Sequence, residues 1–365
     1  MSFDNIVGQK RVVSILKRAL TSQRMPHALL FHGPEGVGKE AVAIELAKAL
    51  FCQNDVIYCN NCSDCKRVRQ LTHPDLIVLF PAPKTPKNEE VQSIRESIIK
   101  NPYYRTQLWA NPLILIDMIR NLKRTVSMAS YENKGRVVIM IDAHRITTEA
   151  ANSLLKILEE PLGRLTLVLI SSQANSLLPT IVSRCQKIRF DPLNWQDIET
   201  ALVERENVSP GQAKIFARMS FGSYRRALEL LDEDVDEKQN LMIDMLRKVL
   251  MPDLDILLMV EKLVSQQDKK TIKDLIALML VWFRDAMVLE LLQDQKDYTE
   301  KIINIDRLEI LKKFTSGLES LEYHQIISKI EHTIELIDRN VYLHLTLLQL
   351  LFELKKFLRR KTIVR

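Results

Sequence analysis

The chain has 365 residues, enough at about 150 residues per domain for two or three domains with sizeable cores, which excludes a disulfide-stapled miniprotein. Hydrophobic residues at 46% and charged residues at 27% are ordinary globular values and exclude long disorder and a fibrous design. The net charge of +6 is a mild excess of 52 basic over 46 acidic residues, which permits an anionic partner without requiring one.

The opening MSFDNIVGQKRVV carries Asp4 early and has no apolar h-region, so no secretory signal is read and a cytoplasmic location is expected. The longest charge-free stretches, 165–183 and 340–352, are either broken by polar residues or shorter than the roughly 20 apolar residues of a membrane span, so no membrane partner is expected. Five cysteines in such a setting point to metal or free thiols rather than disulfides.

From the N-terminus to Phe190 short apolar runs bounded by turn residues alternate with helical patterns, the mark of a parallel α/β sheet. Strands are predicted at 28–31, 76–80, 137–141, 165–170 and 187–190. The first leads into Gly33-Pro34-Glu35-Gly36-Val37-Gly38-Lys39 and a helical run over 40–50. This is the strand, loop and helix context of a P-loop, in which Gly33, Gly36 and Gly38 let backbone N–H groups wrap a phosphate and Lys39 reaches its oxygens. Where that pattern has a Ser or Thr to bind Mg²⁺, the chain has Glu40, which lacks the hydroxyl.

Just after the P-loop helix come Cys52, Cys59, Cys62 and Cys65, spaced C-x6-C-x2-C-x2-C. Four thiolates at that spacing can close tetrahedrally around Zn²⁺, and a closed set leaves no position for a catalytic water, so the expected zinc is structural. PAPKTPKNEE at 81–90 suits an exposed loop. The strand at 137–141 ends in Asp142, either the acidic residue of a P-loop metal site or a strand-end cap, and the next residue is Ala143. ATPases of this type usually place a water-polarising carboxylate there. Glu40 and Ala143 strike the same reaction, and if each removes roughly a hundredfold of rate, hydrolysis is nearly abolished. Cys185 reads as a small buried residue.

Glycine and proline then almost vanish: eight of nine glycines and twelve of thirteen prolines precede residue 240. A helical stretch over 193–240 and an all-helical remainder follow. In the last helix Val341, Leu345, Leu348 and Phe352 share one stripe, and Leu343, Leu347, Leu350 and Leu351 widen it. A central core helix and a helix buried against a neighbouring subunit both fit.

FDNIVGQ, HALLFHGPEGVGK, the four-cysteine insertion, THPD at 72–75, AANSLLKILEEP at 150–161 and SRC at 183–185 together resemble the clamp-loader subunits of bacterial DNA polymerase III, of the AAA+ class. The resemblance runs from the N-terminus to Phe190, while the stretch 241–365 matches only in being helical. It implies an α/β plus all-α architecture, with an AAA+ P-loop domain over 1–191 carrying the zinc module at 52–65, a helical lid over 192–240 and a helical collar over 241–365. It further implies that Val7 lies against the adenine of any bound nucleotide, that Ser171 or Ser172 is a polar sensor, and that Arg225, or Arg226 in another register, is the lid sensor arginine. Arg184 matches the arginine finger that acts on ATP held by a neighbour, though an ordinary surface arginine also fits.

The implied partners are tau/gamma motor subunits, a delta subunit, the sliding clamp, and primed DNA through the assembled ring. Glu40 and the Asp142-Ala143 pair depart from the tau/gamma pattern and point to the delta-prime branch. Because Lys39 and the loop glycines survive, ATP binding stays open while hydrolysis is not expected. Two other readings compete: an active tau/gamma-like ATPase motor, and a zinc-containing nucleic-acid-binding module. Arg120, Lys123 and Arg124 fit either a DNA-facing or a solvated helix face.

Overall fold

The computed structural model describes residues 3–53, 57–104, 106, 108–160, 163–233, 235–292, 301–317 and 321–358. The chain divides into two compact units, one of residues 1–207 with 220–228 and the other of 208–219 with 229–365, so residues 192–240 contribute to both.

The first unit is built on five parallel strands: β1 (Ala28–His32), β2 (Leu76–Leu79), β3 (Arg136–Met140), β4 (Leu165–Ser171) and β5 (Gln186–Arg189), in the spatial order β2-β3-β4-β1-β5. Each falls where the apolar runs of the sequence place it, with ends shifted by a residue at most. The reason is visible in burial: β1, β3 and β4 are apolar on both faces, as interior strands of a helix-covered sheet must be. At the edges, β2 alternates, and β5 turns Lys187 and Arg189 outward, charges that discourage pairing with another chain.

Around the sheet lie α1 (Lys10–Thr21), α2 (Lys39–Phe51), α3 (Ser63–Arg69), α4 (Asn88–Lys100), α5 (Ile116–Ser127), α6 (Thr148–Glu159), α7 (Pro179–Ser183) and α8 (Trp195–Glu206). α4 claims the end of the stretch expected as loop. Asn88, Glu89 and Glu90 form its first turn because the Lys87 N–H donates to Glu90 Oε2 at 3.1 Å, satisfying one of the amides a helix start leaves open. The cut between the units runs through the helix Tyr224–Leu231.

The second unit is helical among its described residues, with helices at Pro210–Met219, Val235–Val249, Asp253–Gln266, Lys269–Leu292, Leu308–Ser316, Tyr323–Asp338 and Leu343–Phe357. Its core centres on Lys269–Leu292, where Trp282 and Phe283 pack edge-on to Phe314. Asp285 is sunk in this core and accepts from the Ile303 and Asn304 amides. In the last helix the buried face is Leu347, Leu350, Leu351 and Leu354, while Leu345 stands exposed and Val341, also exposed, falls before the helix begins at Leu343. The residues expected only to widen the stripe are therefore its centre.

Candidate functional site

α2 has a candidate site at each end. At its N-terminus the loop 33–38 leaves the carboxyl end of β1, and beside it Asp142 follows two residues after the end of β3 while β4 ends at Ser171 with Ser172 next. Functional groups gather there because the carboxyl ends of parallel strands open a crevice where the strand order reverses. One cavity of about 30 Å³ touches Gly36, Gly38, Lys39, Glu40, Asp142, Ser172 and Arg225 together. A second, of about 60 Å³, shares Glu35, Asp142 and Arg225 with it.

Lys39 turns back on its own loop, donating to Gly33 O at 2.7 Å and to Pro34 O. Burial lowers its pKa to about 8, against the opposing fields of Glu35, Glu40 and Asp142. Of the two candidate serines, Ser172 lines the cavity. Ser171 is buried, with Oγ accepting from the Gln173 N–H at 3.1 Å and lying 3.4 Å from His144 Nδ1. Of the two adjacent arginines, Arg225 lines it. Ala143 is buried beside Asp142 and offers no polar group. Val7 is buried, and its N–H donates to Tyr103 Oη at 2.7 Å.

At the other end of α2, the sulfurs of Cys52, Cys59, Cys62 and Cys65 all lie within 4.8 Å of one another, close enough to share one metal ion. The Cys52–Cys59 separation of 3.7 Å matches the ~3.8 Å edge of a tetrahedron with metal–sulfur bonds of ~2.3 Å. Cys62 caps α3, its Sγ accepting from the Cys65 N–H at 3.4 Å. The Asn61 and Cys62 amides hold the Cys59 thiol down at about 6, which favours the thiolate a metal needs. Burial pushes the Cys65 thiol up to about 12.

The cluster is braced by charges that the motif did not reveal. Asp64, fully buried, accepts from Lys134 Nζ at 2.8 Å and from Arg67. Burial alone would raise the Asp64 carboxyl, yet those two hydrogen bonds hold it down at about 2. Lys134 also donates to Phe51 O at 2.7 Å, tying the segment before β3 to the end of α2. His73 of the THPD segment stacks on Phe51 at 4.0 Å, and Asp75 accepts from the Tyr131 and Glu132 amides.

Arg184 lines neither of the two cavities at the glycine loop. Its guanidinium is 38% exposed and pairs with Glu159 Oε1 at 2.7 Å, while Nη1 donates to Thr180 O at 3.0 Å. Sequence reasoning missed Tyr103, Glu159 and Lys134. The first follows Asn-Pro with no motif around it, and the other two matter only through partners far along the chain.

A parallel sheet whose first strand opens into a glycine loop capping a helix defines a P-loop α/β protein. Residues 8–194, just over half of the chain, match the family described as DNA polymerase III, delta subunit, and the chain belongs to that family. The DNA polymerase III subunit delta' of Bacillus subtilis is 34% identical over 227 residues, 62% of this chain and 60% of that protein. The tau subunit of the same organism is 28% identical over 240 residues, 64% of this chain and 38% of that protein. The matched region is thus less than two thirds of either relative's length. A DNA polymerase III gamma subunit-related protein of Thermotoga maritima aligns over 94% of this chain and 99% of its own, at TM-score 0.40 and 16% identity. No described helix is long and apolar enough to cross a membrane.

Proposed function

We propose that the chain is a non-hydrolysing ring subunit of a bacterial replicative clamp loader, acting in the cytoplasm. In this reading it assembles with tau/gamma-type motor subunits and a delta subunit, and the ring loads the sliding clamp onto primed DNA. The observation that carries the reading is a phosphate cradle with Gly36, Gly38 and Lys39 in place beside Glu40 and the buried Ala143, where hydrolysis would need a hydroxyl and a second carboxylate. In this reading any ATP that enters the cradle is held without turnover. The cysteine cluster holds a structural Zn²⁺.

The organisation we propose is an AAA+ domain over 1–191, a lid over 192–240 and a collar over 241–365 that joins the subunits. Leu254, Leu257 and Leu258, which share one face of the helix Asp253–Gln266, are 65%, 42% and 56% exposed, which supports a partner there. Arg120, Lys123 and Arg124 are exposed on α5, where a ring could bring them to DNA.

Arg184 is the arginine finger in this reading, serving ATP bound by the neighbouring motor. Its bond to Glu159 is no obstacle, since half-exposed ion pairs contribute about 0–1 kcal/mol and the guanidinium can leave. A reconstituted loader carrying Arg184→Ala should assemble normally by gel filtration and lose much of its DNA- and clamp-stimulated ATPase, because fingers are worth about 10³ to 10⁵ in rate at their own interface. Activity at other interfaces persists. Arg184→Lys should rescue poorly, since an ammonium lacks the planar fork that spans two phosphate oxygens. Unchanged rates in an assembled ring overturn the assignment.

A further inference from the structure

We propose that Tyr103 is a built-in plug of the nucleotide cleft, which must swing out before an adenine nucleoside triphosphate can enter. The inference builds on the reading of the glycine loop as a nucleotide cradle and concerns the access of ligand to it.

Tyr103 is delivered by a tight turn at the end of α4. The Tyr104 N–H donates to Asn101 O at 3.0 Å, the Tyr103 N–H to Asn101 Oδ1 at 3.0 Å, and the Thr106 N–H back to Ser97 Oγ at 3.2 Å. The turn sends the ring inward, where it is only 6% exposed. Its hydroxyl accepts from the N–H of Val7, the residue that the resemblance sets against adenine. One ring edge lies against the phosphate loop so closely that a Cβ on Gly38 would stand 2.7 Å from Tyr103 Cε1. The ring also meets Tyr224 edge-on, with centroids 5.0 Å apart. A single side chain thus spans from the base contact to the phosphate contact.

The rest of the cradle is closed by the chain's own groups as well. The Tyr224 and Arg225 amides donate to Gly36 O at 3.0 and 3.4 Å, and a Cβ on Gly36 would collide with Ser223 Oγ and Arg225 Cβ. Lys39 is turned onto Gly33 and Pro34.

The cavities on either side of Tyr103 show what its removal would open. On the phosphate side is the space of about 30 Å³, room for about two waters. On the other side is a cavity of about 370 Å³, lined by Asn5, Glu45, Lys48, Arg205 and Tyr224 among others. Pro102 and Tyr103 line both, so they form the wall between them. With Tyr103 withdrawn the two join into one cleft of the roughly 300–1,000 Å³ that small-molecule sites need. Burial pushes the Tyr103 phenol up to about 12, so the plug stays a neutral hydroxyl at every pH where the chain would work.

If the plug is out in about a tenth of molecules or fewer, apparent affinity falls by the same factor. The test is fluorescence titration of the full chain with the methylanthraniloyl derivative of ATP. Tyr103→Ala should bind about tenfold tighter than wild type or more. Tyr103→Phe, which keeps the ring and loses the Val7 bond, should gain much less. Adding Lys39→Ala to Tyr103→Ala should remove the gain, because the phosphate contact is then lost. A folded Tyr103→Ala protein, with wild-type melting and metal content, that binds no tighter than wild type overturns the plug. Two results differ in what else they sink: equal and measurable binding spares the cradle, whereas no binding by either protein sinks the cradle too. Should Tyr103→Ala fail to fold, hydrogen exchange on the wild-type chain decides. Saturating ATP should speed exchange in residues 101–104, and unchanged exchange with ATP bound overturns the proposal.

Discussion

At its N-terminal end α2 meets a glycine loop whose Gly33, Pro34 and Gly36 carbonyls accept from Lys39 and from the amides of Tyr224 and Arg225, with the Tyr103 ring packed against Gly38, all from the same unit. At its C-terminal end it meets four thiols turned toward one another within 4.8 Å and braced from outside by Asp64, Lys134 and Arg67. One helix therefore meets Glu40 and Ala143 beside a glycine loop at one end and four thiols close enough to share one metal ion at the other. The difference lies in what each must do. A structural metal cluster is served by rigidity, with every ligand supplied by a short segment of chain. In the reading proposed above, a cradle with Glu40 and Ala143 where hydrolysis needs a hydroxyl and a second carboxylate has no turnover to support, so its space is free to be filled by packing.

The largest expected effect tests the completeness of the cysteine end. Purified protein should carry one zinc per chain by metal analysis. Cys59→Ser together with Cys62→Ser should remove it and melt the segment around α3, because structural zinc contributes on the order of 10 kcal/mol to the fold it closes. Four freely titrating thiols in a folded, metal-free wild-type sample would break the comparison.

A smaller loss is expected at the brace. Asp64→Ala strips the buried carboxylate from Lys134 and Arg67. Breaking a buried pair costs about 3–5 kcal/mol, and since these two cations are 31% and 35% exposed the cost here should be nearer about 2 kcal/mol, read as a fall in melting temperature. No fall would show the cluster to be self-supporting.

The smallest effect sharpens the other end. Lys39 titrates at about 8 in the folded chain against 10.5 for an exposed lysine. Between those values the unfolded chain binds more protons, so this residue makes stability rise as pH rises from about 8 to about 10.5. Below about 8 it is charged in both states and contributes no slope. Replacing it with Met should flatten that segment of a stability–pH curve, and a curve unchanged by Lys39→Met would show that the ammonium is not held as buried as its loop carbonyls imply.

Much of the architecture was legible from sequence because it rests on local pattern. The apolar runs of β1, β3 and β4 have to be buried strands, the glycine spacing before Lys39 has to be a turn onto a helix, and four cysteines set between positions 52 and 65 cannot lie far apart. What only the tertiary structure decided depends on residues distant in the chain. The strand order β2-β3-β4-β1-β5 comes from how crossovers pack, and it brings Asp142 and Ser172 to the loop at Gly36. The last helix chose Leu347, Leu350, Leu351 and Leu354 as its buried face because its neighbours cover that side, a choice that periodicity alone leaves open when leucines surround the helix. Glu159 lies in AANSLLKILEEP and Arg184 in SRC, yet their pairing across the whole of β4 has no local signature. Tyr103 is the sharpest case. Val7 lies near the N-terminus and Tyr224 far beyond the last strand, and nothing in Asn-Pro-Tyr-Tyr says that one of two adjacent tyrosines turns inward to meet both. Side-chain burial of that kind is settled by which surfaces the completed fold brings together, and only then by the residue itself.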